Sequence, residues 1–306
     1  MNRLRIAVLG GTGFVGHSLC ERLVMAGHEV RILTRHRERH RDFLILPGAQ
    51  VIEADVHSPA ALKREFQGLD VVVNLVGILN ESGRNGKGFE RVHAELPAKI
   101  VQACRQSGVT RLLHMSALHA SVDAPSHYLR SKGRGEQIMH EANGEALHVT
   151  SFRPSVIFGP CDSFTNRFAG LLRQVPYVFP LACAGARLQP VYVEDVAQAF
   201  VLALDRHVTF GKRYNLCGPQ AYSLREIVSC LARQIGLKRR ILSLNHALSY
   251  LQAAILQFAP GKPFTPDNYR SLQVDSVCDA PFPDIFGIIP GRFDEIVPTY
   301  ISRITS

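Results

Sequence analysis

Apolar residues in the first half of the chain come in short runs that mostly do not alternate with polar ones. Residues 4–9, 30–33, 51–52, 71–76, 111–115 and 147–152 form such runs, the pattern of strands buried on both faces. Between them lie stretches with helical spacing of apolar positions, at 14–26, 59–66, 89–107 and 128–141. Ser58 ahead of Pro59 suits a helix start with a serine cap, and Gly108 after Ser107 suits a helix stop. Strands alternating with helices imply right-handed crossovers, so the expected class is α/β: a Rossmann-type, doubly wound parallel sheet.

Beyond about Gly159 the pattern loosens. Prolines from Pro160 to Pro290 break the chain into shorter elements, with helices expected at 194–204, 224–235 and 246–258. The organisation predicted is a dinucleotide-binding part over residues 1–160, joined by further sheet elements from about 185–220. A smaller, mostly helical lobe at 161–306 would lie over the carboxyl edge of the sheet, where ligands of open α/β sheets bind. The apolar segment 246–260 could be a membrane-surface or partner-binding helix. It contains no Lys or Arg, which interfacial helices favour, so core or dimer packing is the expectation. Residues 261–264 read as a loop.

Composition narrows the class. With 306 residues, 46% hydrophobic and 20% charged, the chain can bury a large core and is not a disordered one. No apolar run approaches the roughly 20 residues that span a bilayer, and the first strand starts too early for a secretory leader, so a cytoplasmic location is expected. Seven dispersed cysteines without a Cys-x-x-Cys pair point to reduced thiols rather than disulfides or zinc. His36 and His40 have helical spacing, but Arg35, Arg37, Arg39 and Arg41 around them would repel a cation, and no metal site is expected. The net charge of +9 is concentrated partly at 31–41. No helix-turn-helix, zinc or aromatic-platform pattern accompanies it, so nucleic acid is not an expected partner.

The chemistry begins where the first apolar run ends, in Gly10-Gly11-Thr12-Gly13-Phe14-Val15-Gly16. A strand, a tight turn and a bare helix N-terminus make a cradle for pyrophosphate, so Gly10, Thr12, Gly13, Phe14, Val15 and Gly16 are cofactor candidates. Arg35 closes the second strand where an NAD-selective site carries Asp or Glu. A guanidinium there suits a 2′-phosphate, so NADP(H) is preferred, with NAD(H) the alternative. Asp55 and Val56 follow the third strand and are placed to meet adenine. Asn74, Val76 and Gly77 end the fourth strand facing the cofactor. Tyr128 and Lys132 stand one helical turn apart. A cation beside a phenol lowers its pKa and lets it act as acid or base, and the same Lys can hold the nicotinamide ribose. Ser116, at the end of the fifth strand, is the candidate to orient a substrate oxygen, with Ser121 and Ser126 in reserve.

Taken together, the glycine turn, Tyr128-x-x-x-Lys132 and the strand order resemble the short-chain dehydrogenase/reductase superfamily, in its extended or atypical branch of NAD-dependent epimerase/dehydratase type. Arg153-Pro154-Ser155-Val156, residues 191–197 and Tyr214-Asn215-Leu216-Cys217-Gly218-Pro219 extend the match. The resemblance implies that Pro154 and Val156 line the nicotinamide and that Glu194-Asp195 is structural. It implies oxidoreductase or epimerase-type chemistry on a small molecule or quinone-related metabolite. The Tyr128–Lys132 stretch and the tail Pro263-Phe264-Thr265-Pro266-Asp267 with Leu272-Gln273-Val274-Asp275-Ser276 resemble bacterial relatives of the NADPH-binding accessory subunit of respiratory complex I. That likeness implies a non-catalytic accessory or assembly role with a resident NADPH as the alternative. It also allows peripheral association with a complex of the inner membrane, by a monomer or homodimer. One departure stands out: family members carry a Ser/Thr run after the fifth strand, whereas Ser116-Ala117-Leu118-His119 puts Leu118 at its active position.

Overall fold

The computed structural model describes residues 3–40, 43 and 46–301; Arg41, the last of the basic run, lies outside the described residues. The strands of the first half are β1 (Arg5–Leu9), β2 (Glu29–Thr34), β3 (Ala49–Glu53), β4 (Val71–Asn74), β5 (Arg111–Met115) and β6 (His148–Pro154). The second half adds β7 (Ile157–Phe158), β8 (Val178–Leu181), β9 (Arg187–Leu188), β10 (Val191–Tyr192), β11 (Arg213–Leu216), β12 (Tyr222–Ser223) and β13 (Arg240–Ser243). Seven of these form one parallel sheet in the order β11-β6-β5-β4-β1-β2-β3. The order reverses between β1 and β4, which opens a crevice at the carboxyl ends of those strands.

The apolar runs are explained by what covers each face. Ile6, Val8, Val71, Val73 and Leu113 point to one side, under α1 (Phe14–Met25) and the later helix Val193–Leu202. Ala7, Leu9, Val72 and Leu112 point to the other, under α2 (Pro59–Phe66) and its successors. Of these, α4 (Leu96–Ser107) and α5 (His127–Glu141) cover this face, and α3 (Lys87–Glu90) stands ahead of α4. The stretch expected as one helix at 89–107 is helical throughout, but a π turn at Arg91–Glu95 separates α3 from α4. Ser58 caps α2 and Gly108, at φ +70°, closes α4, as the sequence implies.

The second half holds α6 (Thr165–Gln174), α7 (Val193–Leu202), α8 (Leu224–Gln234), α9 (His246–Leu256), α10 (Pro266–Ser271) and α11 (Phe293–Ile301). A core of Phe158, Leu172, Ile227, Leu231, Phe293 and Val297 unites α6, α8 and α11. Three helices escaped the sequence pattern. In α10 the proline that looks like a breaker sits at the first helical position, behind a Thr265–Asn268 capping box. Pro298 lies inside α11, and α6 starts on the Asp162 carboxylate, which accepts from Thr165 N at 2.5 Å.

Two expectations about the second half of the chain are corrected by the structure. Cys217 and Cys278 are joined in a disulfide, so the thiols are not all reduced; partners 61 residues apart give no spacing signal in sequence. Core packing is also wrong for α9. It buries only Ser249 and Ala253 and exposes Leu248, Leu251 and Ile255. No helix among the described residues is long and apolar enough to cross a membrane.

Candidate functional site

Gly10 turns the chain at the end of β1 with φ +78°, a conformation that side chains resist. Gly16 packs so closely under the turn that a Cβ would collide with Gly10 O and the backbone of Gly11. The Gly13 N–H donates to Gly10 O at 3.0 Å. Gly13 is also the N-cap of α1 and brings no side chain to the helix end. The first-turn N–H groups of α1, at Phe14, Val15 and Gly16, therefore face outward without a side-chain cap and without an acidic neighbour. Thr12 and Gly13 sit at the rim. This cradle fits a pyrophosphate, so the residues present suit a dinucleotide.

A cleft of about 1020 Å³ runs along the carboxyl ends of β2, β3 and β4. It brings together Arg35 and Asp55 with His57, Lys87 and Arg91, which the sequence did not single out because they are distant in the chain. Three carboxylates also line it, but each is taken up by backbone N–H groups. Glu53 accepts from Arg37, Asp55 from His57, and Glu81 from both Gly86 and Gly88. Arg35, Lys87 and Arg91 have no ion pair among the described residues. Burial first, and then the nearby Arg91, depress the His57 pKa. Val56 is buried in the core under β3 and offers at most one wall.

At the end of β4 the polar groups serve the turn. Asn74 is buried, donates through Nδ2 to His114 Nδ1 at 3.1 Å, and accepts from Val76 N at 3.2 Å. Its side chain is thus spent within the protein. Gly77 leaves room for Lys132, whose Nζ would stand 3.2 Å from a Cβ there.

Helix α5 carries Tyr128 and Lys132. Its N-terminus is held twice: Ser126 caps Leu129, and the Asp267 carboxylate of α10 accepts from His127 N at 2.7 Å and Tyr128 N at 3.0 Å. Lys132 is buried and donates to Met115 O at 3.0 Å. Burial lowers its pKa to about 8, opposed by Glu136 one turn on. For Tyr128 the expected lowering is not found: burial pushes the phenol up to about 12. The ammonium is directed at Met115 O, and Lys132 does not offset that burial.

His93, in the π turn, completes the group. Its ring meets the Tyr128 ring edge-on at 5.5 Å. Nε2 accepts from Ile78 N at 3.0 Å, so Nδ1 carries the proton and donates to Ser131 Oγ at 2.9 Å; Ser131 in turn donates to Tyr128 O at 2.9 Å. Burial, then Lys132, pushes the His93 pKa down to about 2, so the ring is neutral. A single His within a helical pattern gave no sequence signal for this role.

Tyr128 also lines a second cavity of about 350 Å³, whose walls are mostly apolar. Leu118, Pro154 and Val156 share it with Phe168 and Leu256. Ser116 is not brought there. Its hydroxyl donates at 2.9 Å to the buried Glu136, which also pairs with the partly exposed Arg153 and Arg213. Ser126 is spent as the cap, and Ser121 accepts from Asp123 N.

Comparison with known proteins places these features in context. Residues 6–217 match the model of the NAD dependent epimerase/dehydratase family. The chain is 34% identical over 227 residues to NADH dehydrogenase (ubiquinone) 1 alpha subcomplex subunit 9, mitochondrial, of Mus musculus, covering 72% of this chain and 58% of that protein. It is 30% identical over 242 residues to the ceramide reductase of Caulobacter vibrioides, covering 78% of this chain and 73% of that one. A nucleoside-diphosphate-sugar epimerase from Staphylococcus aureus superposes with a TM-score of 0.75 at 17% identity, over 96% of this chain and 99% of that one, a likeness of fold.

Proposed function

Because the chain belongs to the NAD dependent epimerase/dehydratase family, we propose that it is an NADP(H)-dependent oxidoreductase acting on a carbonyl carried by an apolar, chain-like molecule. The observation that carries this reading is the position of Tyr128, one turn from Lys132 and in the wall of an apolar cavity at the carboxyl edge of the sheet. Bound there, the nicotinamide would supply or accept a hydride. Residues 1–160, with the sheet elements near 185–220, would hold the cofactor, and 161–306 would shape the substrate side.

Held up at about 12, the Tyr128 phenol is protonated at neutral pH, the state in which it can donate to a substrate oxygen. Lys132, one turn along the helix, would hold the nicotinamide ribose. Arg35, Lys87 and Arg91 receive the 2′-phosphate, since the carboxylates of the cleft are engaged elsewhere. The apolar walls suit an alkyl or acyl chain, in keeping with the name of the Caulobacter relative.

The test is binding and turnover by the purified protein. NADPH should bind at least about tenfold tighter than NADH, and Arg35→Ala should narrow the difference, with Arg35→Ala, Lys87→Ala and Arg91→Ala together erasing it. Tyr128→Phe should slow NADPH oxidation by a long-chain ketone by about 100-fold or more while leaving NADPH affinity intact. Equal affinity for the two cofactors overturns the NADP(H) assignment. An unaffected rate overturns the role of Tyr128.

A second reading has its own support. Leu118 stands in the cavity and Ser116 is committed to Glu136, which leaves Tyr128 without a serine partner. The mouse relative is named as a subunit of a respiratory complex. In that reading NADPH is resident and fixes a surface for a partner at a membrane complex. NADPH release over hours, with no oxidation by any carbonyl, would favour it.

A further inference from the structure

The apolar cavity has a surface counterpart. Gln252 and Leu256 of α9 line the cavity. On its outward side the same helix exposes Leu248 by 48%, Leu251 by 53% and Ile255 by 61%, and Phe258 follows at 68%. An isolated exposed leucine means nothing, but a contiguous apolar face on one helix marks an interaction surface. The face extends onto the β8–β13 ribbon, which leads into α9. There Leu242 and Val178 are exposed, and Gln252 of α9 donates to Pro180 O of β8 at 3.1 Å.

Charge tells what covers it. Residues 227–266 contain Arg233, Lys238, Arg239, Arg240 and Lys262, and no Asp or Glu. Arg240 lies two residues from Leu242 on the same exposed side of β13 and opposite Val178. Arg84, from a different part of the chain, places its guanidinium 4.5 Å from the centre of the Phe258 ring. The cations that α9 lacks in sequence are therefore supplied by its neighbours in space. A second copy of the chain is disfavoured as the occupant, because a two-fold contact would set these like charges against each other. An apolar face edged by Arg and Lys, with aromatic residues at its border, is the arrangement that seats on an anionic bilayer.

We propose that α9, with Phe258 and the exposed edge of β13, docks the protein on the surface of an anionic lipid bilayer and turns the apolar cavity toward the membrane. The leucine and isoleucine side chains enter the headgroup boundary, while Lys238, Arg240 and Arg84 meet lipid phosphates. Docking does not depend on turnover at Tyr128.

The test is co-sedimentation of the full chain with vesicles of phosphatidylcholine alone or of phosphatidylcholine with phosphatidylglycerol. The wild type should pellet with the phosphatidylglycerol vesicles only, less so as salt is raised. Ile255→Glu and Leu251→Glu alter exposed positions, so the melting midpoint should stay unchanged while the partition coefficient falls by about tenfold or more. Lys238→Glu with Arg240→Glu should remove the preference for the anionic lipid. Failure to pellet with either vesicle overturns the proposal, as does pelleting that none of the variants weakens. So does a dimer in light scattering that Ile255→Glu dissolves, since a second copy then covers the face.

Discussion

Asp267 joins the far end of the chain to the helix that carries Tyr128 and Lys132. Both its carboxylate oxygens accept backbone N–H groups of the first turn of α5. Replacing it by Ala removes two charge-assisted hydrogen bonds and an anion at the positive end of the helix dipole. Ser126 still caps Leu129, so the helix keeps one of its satisfied donors. An Asp cap lost to Ala costs about 0.5–2 kcal/mol, and the dipole contribution adds about 0.3–1 kcal/mol. The expected loss for Asp267→Ala is therefore about 2 kcal/mol, and for Asp267→Asn, which keeps one acceptor without the charge, about 1 kcal/mol. Urea unfolding followed by far-ultraviolet circular dichroism measures the difference, and high salt should narrow the gap between wild type and Asn. NADPH affinity, measured alongside, should fall with the Ala variant because Lys132 rides on the same helix. If both variants unfold within about 0.5 kcal/mol of wild type, Asp267 does not hold α5 and the tail has no positioning role.

Four further outcomes are expected from the packing. Gly16→Ala should abolish NADPH binding, read by fluorescence titration, because a methyl group there collides with the backbone of the turn. Ser116→Ala should cost about 1 kcal/mol in urea and leave NADPH affinity unchanged, since its hydroxyl serves Glu136; a drop in affinity would refute that placement. Glu136→Gln should cost about 1–2 kcal/mol, because the partly exposed Arg153 and Arg213 lose their carboxylate but keep contact with water. The pKa of His93 is depressed to about 2. The unfolded chain therefore takes up the extra proton below about pH 6.5, and stability should decline as pH falls from 6.5 toward 2, with no contribution from this residue above that window. Urea midpoints for wild type and His93→Gln across that range measure it, and parallel curves would refute it.

The sheet was legible because local signals and long-range packing agree. The runs 4–9, 71–76 and 111–115 are apolar on both faces because helices cover both, and the glycine turn after β1 leaves the next segment little choice but to enter a helix. Tyr128 and Lys132 could be paired because a helix carries them one turn apart. His93, Lys87 and Arg91 could not, because only the crossover brings that helix over the carboxyl ends of β3 and β4. Arg84, packed on Phe258 beside α9, was hidden for the same reason. The Cys217–Cys278 bond and the commitment of Ser116 to Glu136 depend on tertiary geometry that no periodicity encodes. The expected lowering of the Tyr128 pKa failed because helical spacing says that two side chains share a face, not where a flexible ammonium ends up.

The π turn at Arg91–Glu95 makes the site unusually sensitive to chain length. A π turn is a helix carrying one residue more than the α repeat needs. Deleting a single residue there would let α3 and α4 merge into a regular helix, at a gain in local hydrogen-bond geometry. Everything on the N-terminal side would then rotate by about 100° relative to the rest. The ring of His93 would leave Ile78 and Ser131, while Lys87 and Arg91 would swing out of the cleft. Substitutions in this helix change one contact at a time; a one-residue deletion would dismantle both ends of the cofactor groove at once.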